Sequence, residues 1–281
     1  MTVKRTFDSW IVYTKPNPQA RLRLFCFPCA GSIASAYRIW SNHLPADVEV
    51  CLVQLPGRGS RLKEKPFTSL SALVQTLVPI LQPHLNLPFV FFGHSMGAVL
   101  GFEIARQLRQ QVDLSPVHLF VCSSPAPHRS IRNPPIHVLP EAEFVAELGH
   151  RYNAIPQSIL QDNKLMQLFL PVLRADLTML ETYVYTVEKP LDCPISAFGG
   201  LEDRVVSSCE LAEWRDQTRS SFTLQMFPGD HFFLHSTKSP FLSVLSQQMF
   251  QVLEYLFGGH NSVNNPAPPL TGTAWACESK S

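Results

Sequence analysis

The chain has 281 residues, of which 45% are hydrophobic and 16% charged, so it can form the core of one large α/β domain or two small ones. Its formal net charge of +1 argues against a nucleic-acid groove and against an electrostatic membrane anchor. No apolar run reaches the roughly 18 residues of a membrane span.

The start of the chain and its cysteines bear on the compartment. Residues 1–8 contain a basic pair with no hydrophobic stretch behind it, which does not fit a signal peptide. The seven cysteines are scattered, mostly inside apolar runs, as at Cys51, Cys122 and Cys193. This usage indicates buried thiols in a reducing compartment rather than a disulfide framework. We therefore expect a cytoplasmic protein.

Apolar runs of strand length alternate along the chain with segments of helical periodicity. The runs cover residues 22–27, 50–55, 88–92, 118–123, 194–198 and 222–227. Apolar residues recur at helical spacing before the second run (Tyr37, Trp40, Leu44) and before the third (Leu70, Leu73, Leu77, Leu81), where Pro79 and Pro83 should shorten or kink the helix. This alternation predicts an α/β fold with a mostly parallel sheet covered by helices on both faces.

A loop rich in small residues follows the first run, with the sequence Phe27-Pro28-Cys29-Ala30-Gly31-Ser32. Cys26 and Cys29 match the C-x-x-C pattern of redox proteins, whose first thiolate is exposed. Cys26 lies inside the strand-like run and is therefore expected to be buried. Zinc is disfavoured as well, because no second ligand pair has suitable spacing.

The run at 88–92 stops abruptly at Gly93-His94-Ser95-Met96-Gly97, and a helix-forming segment extends from about residue 98 to 108. Strand, Gly-x-Ser-x-Gly and helix form the context of a nucleophile elbow, in which a strained turn presents the serine hydroxyl. The glycines allow the tight turn, and the helix start directs N–H groups at developing negative charge. Ser95 is therefore the predicted nucleophile.

The connection between the fourth and fifth runs is far longer than a simple crossover. Its first part is rich in proline, and helical patterns follow at 140–148 and from 163 to about 187. We interpret residues 126–190 as a helical lid inserted into a domain that spans residues 1–257. Residues 258–281 are rich in Asn, Pro, Ser and Thr and are expected to form a disordered tail.

A serine nucleophile needs a histidine base and a carboxylate that orients it, in the chain order Ser, acid, His. Residues 122–140 contain no Asp or Glu, so the acid should follow the next run, where Asp203 is preferred over the adjacent Glu202. His231 follows the last run in a Pro-Gly loop and is the predicted base. The other nearby histidines are His235, in a segment that looks helical, and His94, which should point away from Ser95.

An oxyanion hole needs two backbone N–H donors. The residue after the nucleophile, Met96, supplies one. The loop after the first run should supply the other, from Cys29 or Ala30.

These segments resemble those of the type II thioesterases, the free-standing editing enzymes of nonribosomal peptide and polyketide synthases. The similarity runs from about residue 22 to 257 and rests on the F-P-x-A-G loop at 27–31, L-P-G-R at 55–58, G-H-S-M-G at 93–97, P-V-L-R-A-D at 171–176, E-T-Y at 181–183, the acid segment at 199–203 and the G-x-H-F-F-L segment at 229–234. Ser32 stands where the family has a second glycine.

The resemblance implies an α/β-hydrolase fold with a helical lid. It implies Ser95 as nucleophile, Asp203 as acid, His231 as base, and Met96 with Ala30, rather than Cys29, as oxyanion donors. The expected reaction is hydrolysis of acyl groups from the phosphopantetheine of an acyl or peptidyl carrier protein, without a cofactor or metal and by a monomer. Arg58 and Arg61 either meet the phosphate or an acidic carrier surface, or form a solvated basic turn.

Two other functions fit parts of this pattern. An oxygen-ester lipase or carboxylesterase would use the same triad, and the loop and lid segments argue against it. A non-catalytic hydrolase-fold binding protein would not need an intact triad. An epoxide hydrolase or dehalogenase would need Asp at the position of Ser95 and is excluded.

Overall fold

The computed structural model describes residues 9–129, 133–152, 159, 161–235 and 240–258. These residues build one seven-stranded sheet with the spatial order β1-β3-β2-β4-β5-β6-β7. The strands are β1 (Ile11–Tyr13), β2 (Leu22–Phe27), β3 (Val48–Val53), β4 (Phe89–His94), β5 (His118–Cys122), β6 (Ile195–Gly200) and β7 (Phe222–Phe227). Only β1 pairs antiparallel, with β3, and every other neighbouring pair is parallel.

The central strands are buried on both faces, which explains the continuous hydrophobicity of residues 89–92 in β4 and 119–122 in β5. All six residues of β2, β3, β4 and β6 are buried. The described helices are α1 (Leu70–Leu81), α2 (Met96–Val112), α3 (Glu141–Tyr152), α4 (Asn163–Glu181), α5 (Ser208–Ala212) and α6 (Phe241–Phe257). Side chains of α1 and α2 share one core with Phe25 and Phe91, whereas α6 packs on the opposite face with Trp40 and Phe92. The predicted parallel sheet with helices on both faces is confirmed.

Several element boundaries differ from the predictions. The second predicted run is shifted, because β3 begins at Val48 and ends at Val53. The segment with Tyr37 and Trp40 is a 3-10 helix over Ala34–Asn42 rather than an α-helix. Helix α1 passes Pro79 and then tightens into the 3-10 turn Gln82–His84, which is the expected shortening. Helix α4 ends at Glu181, earlier than predicted.

Helices α3 and α4 lie between β5 and β6 in the chain and form a small core of their own. Its buried members are Ile136, Phe144, Leu148, Leu170, Leu173 and Leu177. The Arg174 guanidinium lies over the Phe144 ring, 4.0 Å from its centroid, and donates to the carbonyl oxygens of His137 and Leu139 at 2.6 and 2.8 Å. The insertion is thus a packed helical unit, while its role as a lid stays a prediction. Apart from Gly258, the predicted tail lies outside the described residues.

Within the described part of the chain, no helix combines the length and the apolar character needed to cross a membrane.

Candidate active site

Ser95 occupies a sharp turn between β4 and α2, with φ 53° and ψ −114°. Such backbone is costly for a residue with a side chain and persists only where the surroundings enforce it. A Cβ on Gly93 would lie 2.2 Å from the Gly97 carbonyl oxygen, and one on Gly97 would lie 2.1 Å from that of Phe27. The Ser95 N–H donates to the Cys122 carbonyl oxygen at 2.8 Å. The predicted strand, turn and helix are present, and both glycines are required by close backbone approach.

Asp203 and His231 come together above the carboxyl ends of β6 and β7. The His231 Nδ1 lies 2.9 Å from Asp203 Oδ2, and the two side chains are 4% and 0% exposed. The other carboxylate oxygen of Asp203 accepts from the N–H groups of Val205 and Val206 at 2.8 and 3.1 Å. A carboxylate oxygen only accepts, so the hydrogen of this bond is on Nδ1, and in the neutral imidazole the lone pair is then on Nε2. Glu202, the alternative acid, is exposed.

His94 lies under the loop that carries His231. Its Nε2 donates to the His231 carbonyl oxygen at 2.9 Å, and the two rings are 5.5 Å apart. The side chain is fully buried. Burial, followed by the neighbouring His231 and His235, lowers the pKa of His94 well below its usual range. His94 therefore supports the loop as a neutral side chain.

Because His94 is buried as a neutral side chain, we predict that the folded protein loses stability in acid. The unfolded chain takes up this proton near pH 6.5, whereas the pKa of His94 is lowered in the folded protein. Stability is thus fully present above about pH 6.5 and falls as pH decreases, by up to about 1.4 kcal/mol per pH unit. Urea unfolding at pH 7.5, 6.5 and 5.5 should show a shallower pH dependence for His94→Gln. The control is His43→Gln, because His43 is exposed. If the free energy of unfolding depends on pH equally in His94→Gln and in the wild type, the assignment is contradicted.

Ser95 and His231 line the same cavity. Its volume is about 30 Å³, and its other lining residues are Cys29, Ala30, Leu148, Tyr152, Leu173, Leu177, Leu180 and Phe232. The Tyr152 ring meets the His231 ring edge-on at 5.6 Å. A larger cavity of about 390 Å³, between α1, α2 and the segment after α4, includes neither Ser95 nor His231. The smaller cavity is the candidate active site, because the predicted nucleophile and the predicted base both line it.

The loop predicted to supply an oxyanion donor borders this cavity at Cys29 and Ala30. The Ser32 N–H donates to the Cys29 carbonyl oxygen at 3.1 Å, and Gly31 has φ +73°. Met96 opens α2 directly after Ser95. The structure therefore brings Ala30 and the start of α2 to the same cavity as Ser95.

The C-x-x-C cysteines do not form a redox site. Cys26 and Cys29 are free and buried, as predicted for Cys26. Burial raises the pKa of both thiols, that of Cys29 to about 12. Both therefore remain protonated at neutral pH, and a thiol is a poor nucleophile.

Both predictions for Arg58 and Arg61 are wrong. Arg58 is 4% exposed and binds Asp176 in a bidentate ion pair, with N–O distances of 2.5 and 2.7 Å. Arg61 is 5% exposed, pairs with Glu64 and lies 3.5 Å from the centroid of the Trp10 ring. Neither guanidinium forms a solvated turn or is free to bind a phosphate, because each is enclosed and already paired.

Asp176 lies beside the cavity, and the sequence predicted no role for it. It is fully buried in α4 between Leu173 and Leu177, both of which line the cavity. An acidic residue on the apolar face of a helix signals a buried cation partner. The partner itself lies 118 positions away, so periodicity alone could not identify it.

Comparisons with known proteins agree with this arrangement. Residues 22–248 match the family described as "Thioesterase domain". The chain is 43% identical over 253 residues to the gramicidin S biosynthesis protein GrsT of Aneurinibacillus migulanus, covering 90% of this chain and 98% of GrsT.

Two solved structures share the fold. RedJ, a thioesterase from the prodiginine pathway of Streptomyces coelicolor, superposes with a TM-score of 0.78 at 36% identity, over 83% of this chain and 92% of RedJ. The type II thioesterase BorB of the borrelidin cluster gives a TM-score of 0.76 at 34% identity, over 86% and 97%. The α/β-hydrolase fold and the resemblance to type II thioesterases are thus confirmed, and the chain belongs to the thioesterase domain family.

Proposed function

We propose that the protein hydrolyses acyl thioesters on the phosphopantetheine arm of an acyl or peptidyl carrier protein, and so removes aberrant or stalled acyl groups during nonribosomal peptide or polyketide synthesis. The observation that carries this proposal is the buried Asp203–His231 pair at the cavity that holds Ser95. The relatives support the pathway, since GrsT belongs to gramicidin S biosynthesis and RedJ to a prodiginine pathway. The reducing, cytoplasmic setting is proposed from five free, buried cysteines, whereas a sixth, Cys209, is disulfide-bonded.

In the proposed mechanism, Ser95 Oγ attacks the thioester carbonyl carbon while His231 Nε2 takes the hydroxyl proton. Asp203 holds Nδ1 and stabilises the imidazolium that forms. The tetrahedral intermediate then collapses, the carbon–sulfur bond breaks, and His231 returns its proton to the departing pantetheine sulfur. A water molecule then attacks the acyl-serine ester while His231 takes its proton. The bond between the acyl carbon and Ser95 Oγ breaks, His231 returns the proton to Oγ, and the carboxylic acid leaves.

The N–H groups of Met96 and Ala30 are proposed to hold the oxyanion of both tetrahedral intermediates. Ser95 caps α2, so the positive end of the helix dipole lies at the developing charge. A thiolate leaves readily, and the barrier therefore lies mainly in forming the oxyanion. Losing one donor typically lowers kcat by about 10²- to 10³-fold.

The cavity lining favours short, apolar acyl groups. Leu148, Leu173, Leu177 and Leu180 face a space of about 30 Å³, which is comparable to one or two water molecules. An acyl group held entirely between these side chains of α3 and α4 must be short. We therefore expect acetyl and propionyl thioesters to be better substrates than long-chain ones.

The test is hydrolysis of acetyl- and propionyl-phosphopantetheinyl carrier protein by the purified protein, beside the matching CoA thioesters and a p-nitrophenyl ester. A higher kcat/KM for the carrier-bound thioester, absent in Ser95→Ala, is the expected result. Preference for the oxygen ester with carrier thioesters untouched would favour a carboxylesterase and overturn the proposal.

A further inference from the structure

A buried ion pair connects α4 to the loop that is proposed to hold the oxyanion. Asp176 Oδ2 accepts the Gly31 N–H at 2.8 Å, while Arg58 donates to both carboxylate oxygens of Asp176. The side chain of Asp176 is 0% exposed and that of Arg58 is 4% exposed. A charged acceptor forms a stronger hydrogen bond with a backbone N–H than a neutral one, and low local polarity strengthens it further.

The hydrogen bond from the Gly31 N–H to Asp176 stabilises the turn formed by residues 29–32. The Ser32 N–H closes the turn on the Cys29 carbonyl oxygen at 3.1 Å, and Gly31, its third residue, has φ +73°. This is the pattern of a type II turn, in which the third residue has φ of about +80°. A type I turn would flip the peptide between Ala30 and Gly31 and direct the Gly31 N–H away from Asp176. The carboxylate therefore favours one of the two turn conformations.

Helix α4 also confines the loop sterically. A Cβ on Gly31 would lie 3.0 Å from the Phe169 ring and 3.1 Å from Leu173. Ala30 packs against both the main core and the core of α3 and α4. The loop is thus held by packing and, at the Gly31 N–H, by Asp176.

We propose that Asp176, held by Arg58, is a positioning residue for the oxyanion hole. By accepting the Gly31 N–H it ties the turn to α4 and so fixes the position of the preceding Ala30 N–H beside the carbonyl oxygen of the bound thioester. Neither side chain touches the substrate. The inference rests on the proposed function, in which Ala30 is an oxyanion donor.

The test compares Asp176→Asn with Glu49→Gln. The control removes a charge from a second buried ion pair, formed by Arg23 and Glu49 at 2.9 Å with side chains 8% and 0% exposed. This pair lies at the start of β2 and β3, whereas the turn follows the other end of β2. Both variants should lose thermal stability. Only Asp176→Asn should also lower kcat, by about 10- to 100-fold with KM nearly unchanged, because oxyanion donors act mainly in the transition state.

A second readout does not depend on the identity of the substrate. An alkyl trifluoromethyl ketone accepts Ser95 Oγ at its carbonyl carbon and gives a tetrahedral oxyanion with no leaving group. Its affinity should fall in Asp176→Asn by the same factor as kcat and should be unchanged in Glu49→Gln. If Asp176→Asn does not fold, Arg58→Lys takes its place, since lysine keeps the charge but cannot bind the carboxylate with two parallel bonds.

The outcomes separate the two proposals. A folded Asp176→Asn or Arg58→Lys protein with wild-type kcat and ketone affinity would overturn the positioning role alone. An equal loss of kcat in Glu49→Gln would also overturn it, because the effect would then follow stability. If the wild-type protein neither hydrolyses thioesters nor binds the ketone, the proposed function fails and this inference fails with it.

Discussion

Replacing Ser95 by alanine should abolish thioester hydrolysis, with kcat reduced by about 10⁴-fold or more, while the protein remains folded. The change removes the hydroxyl group that the strained turn between β4 and α2 presents. The turn is enforced by backbone contacts of Gly93 and Gly97 and by the hydrogen bond from the Ser95 N–H to Cys122, which do not involve the hydroxyl. Alanine and serine also differ little in their tolerance of positive φ.

A matched control for this variant is Ser123→Ala. Ser123 also has a positive φ, 47°, and is 1% exposed, but it has no proposed role in the reaction. Steady-state hydrolysis, thermal unfolding and labelling by a fluorophosphonate should be measured on both variants. Ser123→Ala should keep most of the activity and the label. Retention of more than a few per cent of the wild-type rate by Ser95→Ala would disprove the nucleophile assignment.

The sequence predicted the fold and the nucleophile elbow well, because both depend on local patterns. The predicted strand-length runs 22–27 and 222–227 match the observed strands Leu22–Phe27 and Phe222–Phe227 residue for residue. Gly-x-Ser-x-Gly requires little more than its own backbone geometry and the close approach of Phe27. The Asp203–His231 contact was predictable because parallel strands bring their carboxyl ends to one edge of the sheet.

Features that depend on long-range packing were not predictable in the same way. The edge strand β1 is only three residues long, too short for a periodic signal, and exists because β3 offers a free edge. Arg58 and Arg61 read as a basic turn, since nothing local shows that the loop is covered. Asp176 and Trp10 cover them from distant parts of the chain.

Asp203→Asn should slow hydrolysis by about 10³- to 10⁴-fold, whereas the neighbouring Glu202→Gln should keep nearly full activity. Asp203 accepts from His231 Nδ1 and from two backbone N–H groups, so its carboxylate sets both the tautomer and the orientation of the ring. An amide in its place can present its NH₂ group to Nδ1, which stabilises the tautomer protonated on Nε2 and leaves no lone pair for the Ser95 proton. Glu202 is exposed, and loss of its charge is screened by solvent.

The comparison requires kcat and KM for both variants on the same carrier-bound thioester, with thermal unfolding as the check on folding. The reverse order of activities would move the acid by one residue, and equal, small effects would mean that His231 works without a carboxylate.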